Sequence, residues 1–207
     1  PSNIFVYGLT GTGKTLVVKH VTNQIMEVAN KNKVDIKVSY INCKLKKVAD
    51  TEYRLIAELT RELGKEVPAT GLPTDEVYKL FINELEKKKM FLLLVLDEID
   101  QLVLKAGDSI LYNLTRLHSE LKNSQISFIG ISNNTQFIEF LDPRVKSSLG
   151  DEEMVFPPYD AVQLQKILQQ RSKISFKENC VEEGVVEKCA AYAAREHGDA
   201  RRALDLL

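Results

Sequence analysis

The sequence near the start of the chain reads Gly8-Leu9-Thr10-Gly11-Thr12-Gly13-Lys14-Thr15. The residues before it, from Asn3 to Tyr7, are mainly apolar and β-prone. After it, apolar residues recur at helical spacing from Val17 to Val28. A strand, a glycine-rich loop matching GxxxxGK[ST] and a helix, in that order, predict a phosphate-binding P-loop. A Gly/Thr turn that merely happens to precede a helix would not explain the strand and helix around it.

Each residue type in this loop has a chemical task. Glycines let the backbone wrap tightly enough for its N–H groups to face phosphate oxygens, and the helix N-terminus adds partial positive charge. Lys14 is expected to neutralise the β- and γ-phosphates, and the Thr15 hydroxyl to ligate Mg²⁺. Contacts with ATP or ADP are therefore expected at Gly8, Thr10, Gly11, Thr12, Gly13, Lys14, Thr15 and Leu16.

A second motif, further along the chain, is Leu94-Val95-Leu96-Asp97-Glu98-Ile99-Asp100. An apolar run that ends in an aspartate is typical of a Walker B strand, whose carboxylate organises the Mg²⁺ shell, so Asp97 joins Thr15 as an expected metal ligand. Glu98 would lie past the strand end, where it could orient and deprotonate an attacking water. The plain alternative, a buried strand with a solvated acidic end, is disfavoured by the upstream P-loop.

Three further polar residues have weaker sequence support. Asn133 follows an apolar run and is expected at the sheet edge where open α/β folds bind ligands, although a loop asparagine also favours turns. By spacing alone Arg144 is a surface charge. Arg201 begins a helix in Gly198-Asp199-Ala200-Arg201-Arg202, and since adjacent residues cannot share a helix face, at most one of this pair faces a nucleotide.

Composition limits the classes of partner. The chain has 207 residues and a net charge of −1, so any contact with DNA would have to be local. Three cysteines without CxxC spacing predict reduced thiols in an intracellular compartment. The longest apolar run, Met90 to Leu96, suits a buried strand and is too short for a membrane span, so no membrane association is expected.

Strand and helix patterns alternate up to Phe156, Pro157-Pro158 breaks the chain, and only helical patterns follow. This order predicts an α/β base over residues 1–156, with a mainly parallel five-stranded sheet, and a small all-α lid over residues 157–207. Within the base, Thr74 and Asp108 are expected to cap helices, as is Asp199 within the lid.

The motifs GLTGTGKT, LVLDEID, FIGISN, DPRVKSSL, VFPPY and GDARRALDLL occur in this order. Together they resemble the AAA+ ATPase module of the archaeal replication-initiator family, which is related to the first subunit of the origin recognition complex and to cell division control protein six. The resemblance runs from Pro1 to Leu207. It implies a three-layer P-loop AAA+ fold and an ATPase that recognises replication origins and is switched by its ATP or ADP state.

The resemblance also implies residue roles. Asn133 matches the sensor-1 position and Arg201 the sensor-2 position on the lid. Arg144 matches the arginine finger that a subunit offers to its neighbour's nucleotide, so hydrolysis is expected to be slow without that neighbour. Tyr159 and Arg171 match lid positions that contact the nucleotide, and a phenol and a guanidinium are chemically suited to base, ribose and phosphate.

For DNA, the family carries a helical insertion, which here would fall within about residues 51–74. Its candidate contacts to phosphate or the minor groove are Thr51, Tyr53, Arg54 and Lys65. The composition does not show this role, because the same stretch holds four glutamates: Glu52, Glu58, Glu62 and Glu66. For each candidate, an ordinary amphipathic helix remains the alternative.

The implied partners are origin double-stranded DNA, other copies or other initiator subunits, and the replicative helicase or its loader, in the cytoplasm and at the nucleoid. In the family much of the DNA affinity comes from a C-terminal winged-helix domain, which we expect to be absent from this chain, and a segment before Pro1 helps to close the adenine pocket. We therefore expect this chain to bind nucleotide less tightly than the longer protein, and DNA weakly.

Two rival functions stay open. A clamp-loader subunit would be expected to carry an SRC-type arginine motif, where this chain has Pro143-Arg144-Val145. A scaffold that holds ADP permanently would need no water-activating base, so Glu98 argues against it without ruling it out.

Overall fold

The computed structural model describes residues 3–45, 51–68, 70–149, 152–177 and 180–207. Its five strands are β1 (Ile4–Gly8), β2 (Ile36–Asn42), β3 (Phe91–Asp97), β4 (Gln125–Ser132) and β5 (Glu152–Phe156). They form one sheet in the order β2-β3-β4-β1-β5, and every neighbouring pair is parallel. The prediction of a mainly parallel five-stranded sheet is confirmed.

The helices are α1 (Lys14–Asn32), α2 (Glu52–Glu62), α3 (Thr74–Lys88), α4 (Ile99–Ala106), α5 (Ser109–Glu120), α6 (Pro143–Leu149), α7 (Ala161–Ser175), α8 (Val185–Glu196) and α9 (Ala200–Leu206). A short 3₁₀ turn, Phe137–Phe140, precedes α6. None of the helices in the described ranges is long and apolar enough to cross a membrane.

Strand β3 lies inside the sheet and is covered on both faces. Its residues from Leu92 to Asp97 are all buried, as expected for a continuous apolar run in a parallel sheet. On one face, β3 shares a core with helices α2 to α5, in which Leu55, Phe81, Leu102 and Leu114 are buried. On the other, Val95 packs with Val18 of α1. The base therefore has three layers, helix–sheet–helix, as the resemblance implied.

The described residues from Pro157 onwards, called the lid from here on, include helices α7, α8 and α9, which pack around a separate small core. Its buried residues are Leu164, Leu168, Val186, Ala190, Ala193 and Ala203. The first lid helix begins at a capping box, in which the Asp160 carboxylate accepts from the Gln163 N–H and the Gln163 side chain accepts from the Asp160 N–H. The prediction of an α/β fold with an all-α lid is confirmed.

Two predicted helix caps are wrong. Helix α3 begins at Thr74 itself, with Pro73 in the cap position. Asp108 precedes α5, but its side chain caps no N–H of that helix; its carboxylate accepts from the Asp142 N–H at 2.9 Å instead. A local pattern cannot reveal this competition, because the winning donor lies in a distant segment. The prediction for Asp199 is confirmed, since its carboxylate accepts from the Arg201 N–H at 2.7 Å.

Helix α4 offers a matched test of the core. Leu102 is fully buried, whereas Leu104, two residues later, is 77% exposed. We expect Leu102→Ala to lower the free energy of unfolding by about 2–5 kcal/mol, because it leaves a cavity among helices and sheet. Leu104→Ala should change it by no more than about 0.5 kcal/mol. Urea unfolding measures both, and equal losses would contradict the packing described for α4.

Candidate functional site

The P-loop, the Asp97-Glu98 pair and Asn133 lie in loops at the carboxyl edge of the parallel sheet. Gly8 ends β1, Asp97 ends β3 and Ser132 ends β4, so the loops after these strands emerge side by side. Open α/β sheets bind ligands at this edge. The loop after β1 leads directly into α1, whose cap residue Gly13 has a φ of 87°, a backbone conformation that favours glycine.

The Lys14 ammonium group lies inside the P-loop. The side chain is buried, and its Nζ donates to the Gly8 and Leu9 carbonyl oxygens, both at 2.8 Å. The Thr12 hydroxyl also donates to the Leu9 carbonyl at 2.8 Å, which closes the loop around the cation. Of the other predicted contacts in this segment, Thr10 and Leu16 are exposed.

Burial lowers the pKa of Lys14, because the charged form loses hydration. The nearby positive charge of Arg201 acts in the same direction, whereas the carboxylates of Asp97, Asp100 and Asp199 oppose it. Two cations, one from the base and one from the lid, are therefore close enough to repel each other. Such a pair favours a bound anion.

Thr15 and Asp97 are in direct contact. The Thr15 hydroxyl donates to Asp97 Oδ2 at 3.1 Å, and the carboxylate is buried. A hydroxyl and a carboxylate oxygen suit Mg²⁺, which usually takes few protein ligands and completes its shell with phosphate and water. The described residues contain no group of three or more His, Cys, Asp or Glu side chains that could hold a metal ion.

Tyr40 is a residue of this site that the sequence analysis missed. Its hydroxyl donates to Asp97 Oδ2, the oxygen that also accepts from Thr15. Burial and then the hydrogen bond to Asp97 raise the pKa of Tyr40, so the phenol stays a donor. Sequence could have indicated this neighbour only through the register of β2 and β3, which no motif encodes.

Glu98 lies directly after β3 in a left-handed backbone conformation, with φ of 56° and ψ of 49°. Non-glycine residues adopt this conformation at a cost, and it turns the chain from the strand into α4. The carboxylate lies 3.6 Å from the Lys44 ammonium. Glu98 is therefore at the sheet edge, one residue past Asp97.

Asn133 is exposed in the loop that follows β4. The neighbouring residue Ser132 anchors that loop: its buried hydroxyl donates to Asp100 Oδ1 at 3.0 Å and accepts from the Asn134 N–H at 3.0 Å. Because Asp100 belongs to α4, this bridge connects the loop of Asn133 to the helix that follows Glu98. No motif in the sequence indicates this bridge.

The lid contacts the P-loop at two glycines. A Cβ atom built on Gly11 would lie 1.6 Å from Asp199 Oδ1, and one built on Gly13 would lie 2.6 Å from the Tyr159 hydroxyl. The Ala200 N–H also donates to the Gly11 carbonyl at 3.2 Å. Tyr159 thus lies at the loop as implied, and Asp199, foreseen only as a helix cap, joins it.

The other two predicted arginines lie elsewhere. Arg171 is exposed on α7, and within the described ranges no hydrogen bond or ion pair joins it to the P-loop. Arg144, on α6, is 82% exposed, and its Nε lies 3.2 Å from Asp142 Oδ1. This pairing raises the pKa of Arg144 and lowers the pKa of Asp142.

The predicted DNA contacts are split between structural and exposed positions. Thr51 caps α2, accepting from the Arg54 N–H at 3.3 Å, and the Tyr53 hydroxyl donates to the Pro68 carbonyl at 2.7 Å. Arg54 and Lys65 are exposed. The opposite face of α2 is in the core, where Leu55 is fully buried, so α2 is an integral helix of the base.

Two family models match the chain. The model described as "AAA domain" matches residues 1–137, and the model described as "Cdc6 AAA+ ATPase-type lid domain" matches residues 165–207. The chain therefore belongs to the AAA ATPase family.

Relatives and solved structures show which kind of AAA ATPase this chain is similar to. The ORC1-type DNA replication protein of Pyrococcus abyssi is 55% identical over 211 residues, and ORC1-type DNA replication protein 1 of Archaeoglobus fulgidus is 54% identical over 207. Each alignment covers 100% of this chain and 50% of the relative, so the chain spans about half the length of these proteins.

The structure of Aeropyrum pernix ORC1 in complex with DNA superposes with a TM-score of 0.86 at 45% identity, covering 99% of this chain and 52% of that one. The predicted resemblance to the AAA+ module of the Orc1/Cdc6 replication-initiator family is confirmed.

The contact between Gly11 and Asp199 can be tested by substitution. Gly64→Ala, at φ of 91°, would place a Cβ atom no nearer than 3.9 Å to its closest neighbour, Lys88 Nζ, so it should cost only the backbone strain of about 1–2 kcal/mol. Gly11→Ala, at φ of 76°, should lower the free energy of unfolding further, because the new methyl group collides with the Asp199 carboxylate. Combining it with Asp199→Ala should recover part of the loss, with a coupling energy of about 0.5–3 kcal/mol. Strictly additive losses would show that lid and loop do not meet there.

Proposed function

We propose that the chain binds ATP or ADP with Mg²⁺ between base and lid and hydrolyses ATP, as the nucleotide-switched ATPase part of a DNA replication initiator. The observation that carries this proposal is the Lys14 ammonium group enclosed by the P-loop beside the Thr15–Asp97 pair. A buried cation whose hydrogen-bond partners are the neutral oxygens of Gly8, Leu9 and Thr12 gains strongly from a phosphate that approaches it.

In the proposed mechanism Lys14 and the P-loop N–H groups bind the β- and γ-phosphates. Thr15 and Asp97 would hold Mg²⁺, which supplies charge neutralisation and orientation of the phosphates when bound. Glu98 accepts a proton from the attacking water, and Asn133 orients that water or the γ-phosphate. The left-handed turn at Glu98 supports this role, since it directs the chain away from the strand just past the metal-binding carboxylate.

The lid supplies the switch. Asp199 and Tyr159 lie against Gly11 and Gly13, so phosphates bound in this loop lie directly beneath lid residues. Arg201 shares the electrostatic environment of Lys14, which supports its proposed role as a sensor of the γ-phosphate. Loss of that phosphate would leave ADP, with less negative charge between base and lid, and would change the lid angle. We place the base at residues 1–156 and the lid at 157–207.

We assign Arg144 to the nucleotide of a neighbouring subunit. Its exposed position on α6 and its pairing with Asp142 leave a guanidinium at the surface, oriented by a carboxylate. An arginine finger supplied in this way raises the rate of ATP hydrolysis by roughly 10³–10⁵-fold. Hydrolysis by isolated chains would therefore be slow. Arg171 is retained as a nucleotide contact on the family resemblance alone.

For DNA, we propose double-stranded origin DNA as the client, with other initiator subunits and the replicative helicase or its loader as protein partners. The support is the DNA complex of the A. pernix ORC1 relative and the exposure of Arg54 on α2 and of Lys65 shortly after that helix. Since a net charge of −1 provides no overall positive surface, we propose that the contacts of this chain with DNA are local. Because chromosomal DNA is the proposed binding partner, we propose that the protein acts in the cytoplasm, at the nucleoid.

Two rival functions differ in what the site must do. A clamp-loader subunit shares the nucleotide chemistry, and the Pro143-Arg144-Val145 sequence of α6 disfavours it. An ADP-holding scaffold would bind nucleotide without hydrolysis, and the position of Glu98 next to Asp97 disfavours that reading.

Lys14→Ala tests nucleotide binding. We expect it to weaken the binding of a fluorescent ADP analogue by roughly 10–100-fold or more, because a charge-assisted contact to phosphate is lost. The matched control is Lys31→Ala, which removes an exposed lysine from the other end of the same helix and should leave affinity unchanged. Unchanged affinity in Lys14→Ala would overturn the assignment of the P-loop.

Glu98→Gln tests hydrolysis separately from binding. The amide keeps the shape but cannot accept a proton, so single-turnover ATP hydrolysis should fall roughly 10²–10⁴-fold while nucleotide affinity persists. Glu27→Gln, on an exposed face of α1, is the control and should hydrolyse ATP at the wild-type rate. Equal rates for wild type and Glu98→Gln would favour the ADP-holding scaffold.

A further inference from the structure

Tyr40 lies on the same face of the sheet as Asp97. Strands β2 and β3 run parallel in a register that places Tyr40 opposite Val95 and Asn42 opposite Asp97. Because side chains alternate between faces, Tyr40 and Asp97 both point to the side covered by α1. The two residues are diagonal neighbours on that face, and the Tyr40 hydroxyl reaches the carboxylate and donates to Oδ2.

Helix α1 holds the tyrosine ring from above. The Lys19 ammonium lies 4.5 Å from the centre of the Tyr40 ring, a cation–π contact. Lys19 follows Thr15 by four residues, so one face of α1 presents Thr15 to the carboxylate and Lys19 to the tyrosine. The ring also packs against the apolar cluster formed by Val18 and Val95. Helix and sheet therefore fix the phenol from two directions.

The Asp97 carboxylate consequently has two donors on one oxygen, the hydroxyls of Thr15 and Tyr40. Mg²⁺ requires nearly ideal octahedral geometry, so the orientation of each carboxylate that serves it matters. Outer hydrogen bonds to ligating carboxylates provide that orientation in metal sites. Thr15 is itself an expected metal ligand, and when its oxygen turns to a metal, Tyr40 is the donor that still holds Asp97.

We propose that Tyr40 is a positioning residue for the Mg²⁺ of the nucleotide site, acting through the Asp97 carboxylate. This inference rests on the proposed function and adds to it a residue from β2, a strand that contributes nothing to the P-loop or Walker B motifs. Its phenol hydroxyl, rather than its ring, is the group that acts. Phenylalanine would fill the same space against α1 but would leave Asp97 held by Thr15 alone.

The sheet contains a matched control. Tyr7, in β1, buries its hydroxyl without a hydrogen-bond partner among the described residues. Tyr7→Phe and Tyr40→Phe therefore remove the same atom from two strands of one sheet, and only the second removes a bond to Asp97. Asp97→Asn serves as the positive control for loss of the metal ligand.

The test measures metal binding directly, with Mn²⁺ as the probe. Electron paramagnetic resonance follows Mn²⁺ binding to the purified protein saturated with ADP, and fluorescence follows ADP binding in EDTA. We expect Tyr40→Phe to raise the Mn²⁺ dissociation constant roughly tenfold or more, and Tyr7→Phe to leave it unchanged. ADP affinity in EDTA should be the same in the wild-type protein, Tyr7→Phe and Tyr40→Phe. The Mg²⁺ concentration that half-saturates ATP hydrolysis should rise in Tyr40→Phe, and excess Mg²⁺ should restore its rate.

Three results would be decisive against the inference. A Mn²⁺ dissociation constant for Tyr40→Phe within twofold of wild type would overturn it, as would an equal rise in Tyr7→Phe, which would indicate a general effect of the lost hydroxyl on the sheet. Loss of ADP binding in EDTA by Tyr40→Phe would assign the residue to the nucleotide instead. If the wild-type protein itself bound neither ADP nor Mn²⁺, the proposed function would fail and the role of Tyr40 with it.

Discussion

The site depends on one buried cation. The Lys14 ammonium group is held by carbonyl oxygens of the loop that precedes it, in a place where burial disfavours its charge. Desolvating an ammonium ion without a counter-ion is costly, and carbonyl dipoles offset only part of that cost. The arrangement persists because β1 and α1 are anchored in the core on both sides of the loop. A phosphate group supplies the charge that the loop itself does not.

Two glycines of the loop satisfy two constraints, one on backbone conformation and one on the space beneath the lid. Gly11 and Gly13 have φ values of 76° and 87°, which side chains rarely tolerate, and both lie directly beneath lid residues. A side chain at either position would strain the loop and push away Asp199 or Tyr159. The close approach of lid to loop explains how a change at the phosphates could reach α7 to α9 without any long-range rearrangement of the sheet.

The sequence was sufficient to predict those parts of the site that are formed by consecutive residues. The P-loop and the Asp97-Glu98 pair are contiguous motifs at strand ends, so the sequence predicted both their secondary structure and their chemistry. The all-parallel sheet then follows from the alternation of strands and helices along the chain. Tyr40, the Ser132–Asp100 bridge and the Gly11–Asp199 contact could not be read in this way. Each joins segments far apart in the chain, through strand register or through the docking of the lid. Asp108 shows the same limit, since its carboxylate accepts from Asp142 rather than from the helix that it precedes.

The central claim is that the P-loop encloses a phosphate chain beside the Thr15–Asp97 pair, and a crystal structure of the protein grown with ADP and Mg²⁺ tests it most directly. We predict that Lys14 Nζ leaves the Gly8 and Leu9 carbonyl oxygens and lies within hydrogen-bond distance of the β-phosphate, with the Thr15 hydroxyl on the metal. A structure obtained at saturating ADP in which Lys14 still donates to both carbonyls, and the nucleotide lies elsewhere, would contradict the account.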